Sequence, residues 1–216
     1  MSVGDSDRRS REVEPTLLLA LTLAALVYSG IAPYDRLTWA LEISWVAVGL
    51  PLLVVTRQHF PLTPLLYRLL FLHALILIVG GYYTYARVPA GFWAAELFGF
   101  TRNHYDRLGH LAQGFIPAIL AREILVRRSP LGGSRWLPFL VVCVCLAFSA
   151  LFELIEWLSA LVLGADATAY LATQGDPWDT QADMLGALLG AIAALALLSR
   201  LHDRHLRELI GAAARR

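Results

Sequence analysis

The sequence predicts an all-α fold: a polytopic helical membrane protein of about six transmembrane helices with both termini in the cytoplasm. Three observations predict it. Hydrophobic residues make up 57% of the 216 positions, and the mean hydropathy is +0.58, which is more apolar surface than one soluble core buries. The apolar residues gather into windows of about twenty, the length that crosses a bilayer as a helix. All 18 basic residues are Arg, and they concentrate at particular segment ends. That pattern reports topology and does not point to a nucleic-acid partner.

The first window, 16–33, follows a polar, Arg-bearing stretch over 1–15 and ends at "APYD" (32–35). No small-residue cleavage pattern follows it, so it is expected to be a retained span and not a cleaved signal. The second window, 38–55, ends at "RQHFPLTP" (57–64), and the third covers 64–86. Between the third and fourth lies "PAGFWAAELFGF" (89–100), a short aromatic-rich segment that is expected to lie at the membrane interface. The fourth window, 105–126, is separated from the fifth, 136–163, by the breakers of "RRSPLGGS" (127–134). The sixth covers 179–199 and leads into an Arg-rich segment over 200–216. With no internal repeat, 1–216 reads as a single integral membrane domain. Cys143 and Cys145 sit two apart in the fifth window, on different faces of a helix, where packing and not bridging is expected.

A cytoplasmic N-terminus puts fourteen arginines inside and leaves Arg36, Arg87, Arg102 and Arg107 outside. Such an excess is the positive-inside signature. The loops 87–104 and 164–178 then lie on the outer face, and the fourth and sixth helices both start there.

Those two starts and the fifth window carry the chemistry. "QGDPWDTQADMLGALLG" (174–190) offers Asp176 as an N-cap, Pro177 at the first helical position and Asp179 in the first turn. "NHYDRLGHLAQG" (103–114) offers Asn103 and Asp106 in the same roles. Capping suffices for these acids, but not for His110 and Asp183, each seven residues past its cap and so roughly 10 Å along the helix. "FELIEW" (152–157) brings Glu153 and Glu156 from the opposite direction, with Glu156 expected at the depth of His110 and Glu153 one turn deeper. Asp106 and His110, Asp179 and Asp183, and the two glutamates are three or four residues apart, so each pair shares a face.

Several carboxylates at close range stay ionised only with positive charge between them. A divalent cation, Mg, Mn, Fe or Zn, supplies it, with His110, Asp183, Glu156, Asp106 and Asp179 as candidate ligands. Glu153 or Glu156 is the candidate catalytic base. A purely structural network is the competing reading: Arg102 or Arg107 neutralises the acids, and Gly186 and Gly190 let the sixth helix pack closely. Glu42 and His73 read as packing residues, Glu123 as an ion-paired or snorkelling acid beside Arg122, and Trp157 and Trp178 as interfacial anchors.

"YDRLGHLAQGF" (105–115), "ARE" (121–123), "FELIEW" (152–157) and "QGDPWDTQADMLGALLGA" (174–191) resemble the YjdF-like family of bacterial inner-membrane proteins, a family without an established function. The resemblance covers most of the chain. It implies a six-span inner-membrane protein and supplies no reaction. A more distant similarity is to VanZ-like membrane proteins, which also distribute Asp, His and Glu over several spans and point toward the cell envelope.

Three functions fit these residues. The first is a metal-dependent hydrolase or transferase acting on a lipid or lipid-linked phosphate, its site open toward the periplasm. The second is a cation- or proton-coupled carrier, and the third a structural or assembly protein held by a polar cluster. The partners expected are the lipid bilayer and a lipid-linked substrate. No nucleophile elbow, phosphate-binding glycine loop or haem motif is present.

Overall fold

The computed structural model describes residues 3–164 and 168–213 of the chain. Arg215 and Arg216, counted above on the cytoplasmic side, lie outside the described residues. The described chain is helical: α1 (Val3–Ile31), α2 (Arg36–Thr56), α3 (Pro64–Tyr83), α4 (Pro89–Phe98), α5 (Tyr105–Arg128), α6 (Trp136–Leu163), the single turn α7 (Thr168–Leu171) and α8 (Asp179–Ala213).

The breakers act where the sequence places them. Asp35 caps α2 by accepting the Thr38 amide at 2.7 Å, which holds its carboxyl below the usual carboxylate range. Thr63 caps α3 ahead of Pro64 at the first helical position. Gly99 ends α4 in the left-handed region with φ 72°, where a Cβ is costly. The aromatic-rich segment is thus the helix α4, and Trp93, Leu97 and Phe98 on it are exposed.

Two elements differ from expectation. The third window ends early: Thr84 adopts φ 60°, and residues Tyr85–Arg87 form a 3-10 turn. The cause is the Tyr85 ring, which folds back into the space left by the missing side chains of Gly80 and Gly109. At the other end, α8 continues far beyond position 199 to Ala213. His202 and Leu206 on this extension are buried, so the Arg-rich tail is partly core.

Among the described residues, five helices are long and apolar enough to cross a membrane: α1 from Val13, α2, α3, α6 and α8 to Gly211. The sixth expected span, α5, has 24 residues, roughly 36 Å of helix against a hydrocarbon core of about 30 Å. It is too polar to qualify by composition, and its polar residues point inward. Asp106, His110, Arg122 and Glu123 are all buried, because α5 is the central helix, packed on α3, α6 and α8. The bilayer side is apolar instead, with Val27, Val48, Phe148 and Leu197 more than half exposed.

The closest partnership is α5 with α8, which run parallel. Arg107 meets Asp179 near their starts and Arg122 meets His202 near their ends. Small residues allow it: a Cβ on Gly114 would overlap the Ala187 carbonyl, and one on Gly190 would overlap the Leu111 carbonyl. Gly186, by contrast, faces His110 at ordinary contact distance. A core of Leu66, Ala118, Ile119, Val141, Cys145 and Ala191 fills the inner half of the bundle between α3, α5, α6 and α8. Cys145 belongs to that core while Cys143 is exposed, and both are free thiols.

Candidate metal centre

Parallel packing of α5 and α8 sets their first turns side by side, and α6 arrives antiparallel to them. Asp106 and His110, four residues apart on α5, point at Asp183 on α8. His110 Nε2 is 3.6 Å from Asp106 Oδ1 and 3.8 Å from Asp183 Oδ1. One ligand atom from each of the three lies within 4.8 Å of the others, and all three residues are buried. Atoms that each stand 2.0–2.6 Å from one ion are at most roughly 5 Å apart, so the spacing suits a shared cation.

The histidine is oriented by its other nitrogen. His110 Nδ1 is 2.9 Å from Gln113 Oε1. With that amide oxygen accepting, Nδ1 carries the proton and the Nε2 lone pair faces two carboxylates. Phe152 of α6 packs edge-on against the imidazole at 5.6 Å and fixes its plane. Three acceptors aimed at one point call for positive charge there, which a bound cation or a neighbouring guanidinium supplies.

Glu153 also stands beside the histidine, its Oε1 3.8 Å from His110 Nδ1. That oxygen is buried without a hydrogen-bond partner. The glutamate beside His110 is therefore Glu153, where the sequence reading placed Glu156. Glu153 faces α5 and α8 at the level of His110, whereas Glu156 is half-buried, outside the compact trio, and lines the neighbouring cavity. Successive positions three apart on a helix differ by about 60° in direction, and that rotation turns Glu156 toward α2.

Asp179 also stands outside the trio. Arg102 Nη2 and Arg107 Nη2 reach its Oδ1 at 3.0 and 2.6 Å, and both arginines bind Asp176 Oδ2, at 3.1 and 3.0 Å. Asp176 Oδ1 accepts the Trp178 amide at 2.9 Å in the turn that leads into α8, and the helix begins at Asp179, two residues later than the sequence reading placed it, so Asp176 stands ahead of the cap position. The Trp178 amide, followed by the two arginines, keeps the Asp176 carboxyl below the usual range. The same arginines, after burial, hold His104 below an ordinary imidazole. The N-cap position of α5 falls on His104 and not on Asn103 as the sequence reading placed it; Asn103 Oδ1 accepts the Tyr105 amide at 2.9 Å from the residue before. Arg107 does one thing more: its Nη1 is in ion-pair contact with Asp183 Oδ1, although that oxygen lacks a hydrogen bond of good geometry.

Sequence reasoning missed several residues of this region. Gln113 was legible in principle as the i+3 neighbour of His110. Glu42, read as a packing residue, is buried, and it lines the same cavity as Asp106 and Glu156. At the far end of α5 a second polar cluster appears. Glu123 is fully buried, taking the Thr63 hydroxyl at 2.7 Å, Arg127 at 2.7 Å and His202 Nε2 at 3.0 Å. It is ion-paired with Arg127, not Arg122, which turns to His202 and Asp203.

A bundle of apolar spans around one polar central helix defines an integral helical membrane protein of the multi-pass class. The family described as "Predicted membrane protein (DUF2238)" matches residues 14–204, and the chain belongs to it. The chain is also 52% identical over 203 residues to "Inner membrane protein YjdF" of Escherichia coli (strain K12), covering 92% of this chain and 97% of that one. No solved structure matches the chain significantly.

Proposed function

We propose that the chain is a divalent-metal-dependent membrane hydrolase or transferase acting on a lipid or lipid-linked phosphate, with its site toward the periplasmic side. The observation that carries this is the Asp106–His110–Asp183 trio, whose ligand atoms lie within 4.8 Å of one another and whose histidine lone pair faces both carboxylates. Asp106, His110 and Asp183 would hold a divalent cation, which would supply Lewis-acid polarisation of a phosphoryl or acyl oxygen and a more acidic water. Glu153, buried beside His110 with an unpaired oxygen, would serve as general base, accepting a proton from the attacking water as the water oxygen bonds to the electrophile. It returns the proton to the departing ester oxygen. Glu156, on the cavity wall, is placed to meet the substrate, and Asp179 supports the trio through Arg107.

Arg107 favours a second reading. Its contact with Asp183 supplies positive charge without a metal, which suits a structural network holding α5 to α8. Elemental analysis of the purified protein separates the two. Under the metal reading, the parent carries a stoichiometric divalent ion, and Asp183→Asn loses it while remaining folded. A metal-free parent that still performs its cellular role, together with an unfolded Asp183→Asn, would establish the network.

A further inference from the structure

A cavity of about 390 Å³ begins at the polar cluster and runs inward between α2, α3, α5 and α6. Its wall on α5 extends from Asp106 to Ile124, roughly 27 Å at 1.5 Å per residue. Spread over that length, the volume is one chain wide, and it lies within the range of small-molecule pockets. Beyond the first turns the lining is apolar, with Leu53, Leu120 and Val144 among its residues. Trp45, Phe148 and Ile124 line it and are also exposed on the outside of the bundle, so it opens sideways into the bilayer.

One polar atom on this wall lacks a partner. His73 Nε2 is buried and has no hydrogen-bond partner, a costly arrangement unless a ligand completes it. Its depth follows from the bundle. Thr63 of α3 is hydrogen-bonded to Glu123 of α5, and the two helices run antiparallel. Ten residues further along α3, His73 is therefore level with Gln113, about one turn or 5 Å below His110. A group that accepts or donates a hydrogen bond is wanted there, one turn beneath the head-group position.

We infer that this cavity holds the single acyl chain of an ester-linked amphiphile, with the ester against His73 and the head at the Asp106–His110–Asp183 cluster. For the identity of the head this rests on the metal-dependent reading; for the chain and the ester it stands on the cavity and His73. The chain enters sideways from the bilayer past Trp45 and Phe148, and its terminus reaches the level of Ile124.

The test uses the full-length protein in phosphatidylcholine vesicles and a neutral palmitoyl monoglyceride carrying a terminal diazirine. A neutral head needs no cation, so occupancy is read independently of the metal. Photolabelling is expected to be saturable, to map to peptides around Leu53, Leu120 and Ile124, and to exceed labelling by a hexanoyl analogue. A Cβ at Gly49 on the cavity wall meets nothing within 4 Å, so Gly49→Ala is expected to fold normally. Gly49→Phe fills the space and is expected to cut labelling about tenfold or more, whereas Val48→Phe on the exposed face leaves it unchanged. His73→Leu is expected to reduce labelling by the ester probe to that of its ether analogue, which provides a readout even if Gly49→Phe misfolds. Equal labelling by the hexanoyl probe, insensitivity to Gly49→Phe, or no ester preference in the parent would each overturn the inference. Labelling that persists in Asp183→Asn while the parent contains no metal would retire the metal-dependent reading and leave the chain site standing.

Discussion

His202 Nδ1 accepts a hydrogen bond from Arg122 Nη1 at 3.0 Å. A guanidinium only donates, so this contact assigns the His202 proton to Nε2, which gives it to Glu123 at 3.0 Å. Neither His202 nor Glu123 exposes any surface, and the pair ties the end of α8 to α5 and, through Thr63, to the start of α3.

Breaking this chain of contacts is therefore expected to be severe. Glu123→Ala leaves Arg127 and His202 facing a gap, and a loss of about 3–5 kcal/mol is expected. His202→Leu leaves Glu123 with two of its three partners and is expected to cost less. Thermal unfolding of the detergent-solubilised variants measures the order; equal losses would show that Thr63 and Arg127 contribute little.

The glycines of the α5–α8 seam divide sharply. Gly114→Ala and Gly190→Ala drive a methyl group into a facing backbone carbonyl and are expected to push the helices apart, with strong loss of folded protein. Gly186→Ala, at ordinary contact distance from His110, is expected to fold. Yield of monodisperse protein from size exclusion checks this, and a stable Gly114→Ala would contradict the seam.

Asp176 sets an acid limit. Its carboxyl is held below the usual range by the Trp178 amide and by Arg102 and Arg107, so its contribution is present above the unfolded value of about 3.9 and is lost as pH falls through the lower folded value. Melting temperature should decline in that window, and Asp176→Asn should flatten the decline. An unchanged acid limb would assign the effect to other groups.

Arg107 and a cation compete for the same oxygen of Asp183. Under the metal reading, Arg107→Gln removes the competitor, so divalent-ion affinity is expected to rise, by about tenfold for each 1.4 kcal/mol released. Isothermal titration with Mn²⁺ tests it. Weaker binding in the variant would mean that Arg107 orients the site.

Reporter fusions test the orientation that the arginine distribution sets. A reporter placed after Arg216 is expected to be active only in its cytoplasmic form, and one in the 164–178 loop only in its exported form. The reverse at both points would move the trio to the cytoplasmic leaflet.

Much of this architecture was legible from hydropathy, because span length and breakers are local properties of the chain. Trp136–Leu163 follows its apolar run residue for residue. The end of α3 was not legible: "GYYTYAR" reads as continuous apolar helix until Tyr85 is seen filling the hollows of Gly80 and Gly109, a contact between distant positions. Among the site residues, depth along each helix brought Asp106, His110 and Asp183 together. Depth alone did not separate Glu153 from Glu156, since that depends on how far α6 is rotated toward α5. His202 was hidden for a related reason. It sits among arginines in what looks like a solvated tail, and only the register of α8 against α5 takes it inside.

The polarity of α5 also bears on how the protein is made. A helix bearing buried Asp106, His110, Arg122 and Glu123 is poorly suited to partition into lipid on its own. Its main partner, α8, is synthesised only after α6 has emerged. Membrane integration of α5 must therefore wait, held by the insertion machinery or shielded against α3, until the last helix arrives. A nascent chain cut before Asp179 is expected to leave α5 accessible to water-soluble cysteine reagents along its length, whereas in the finished chain the same positions are protected.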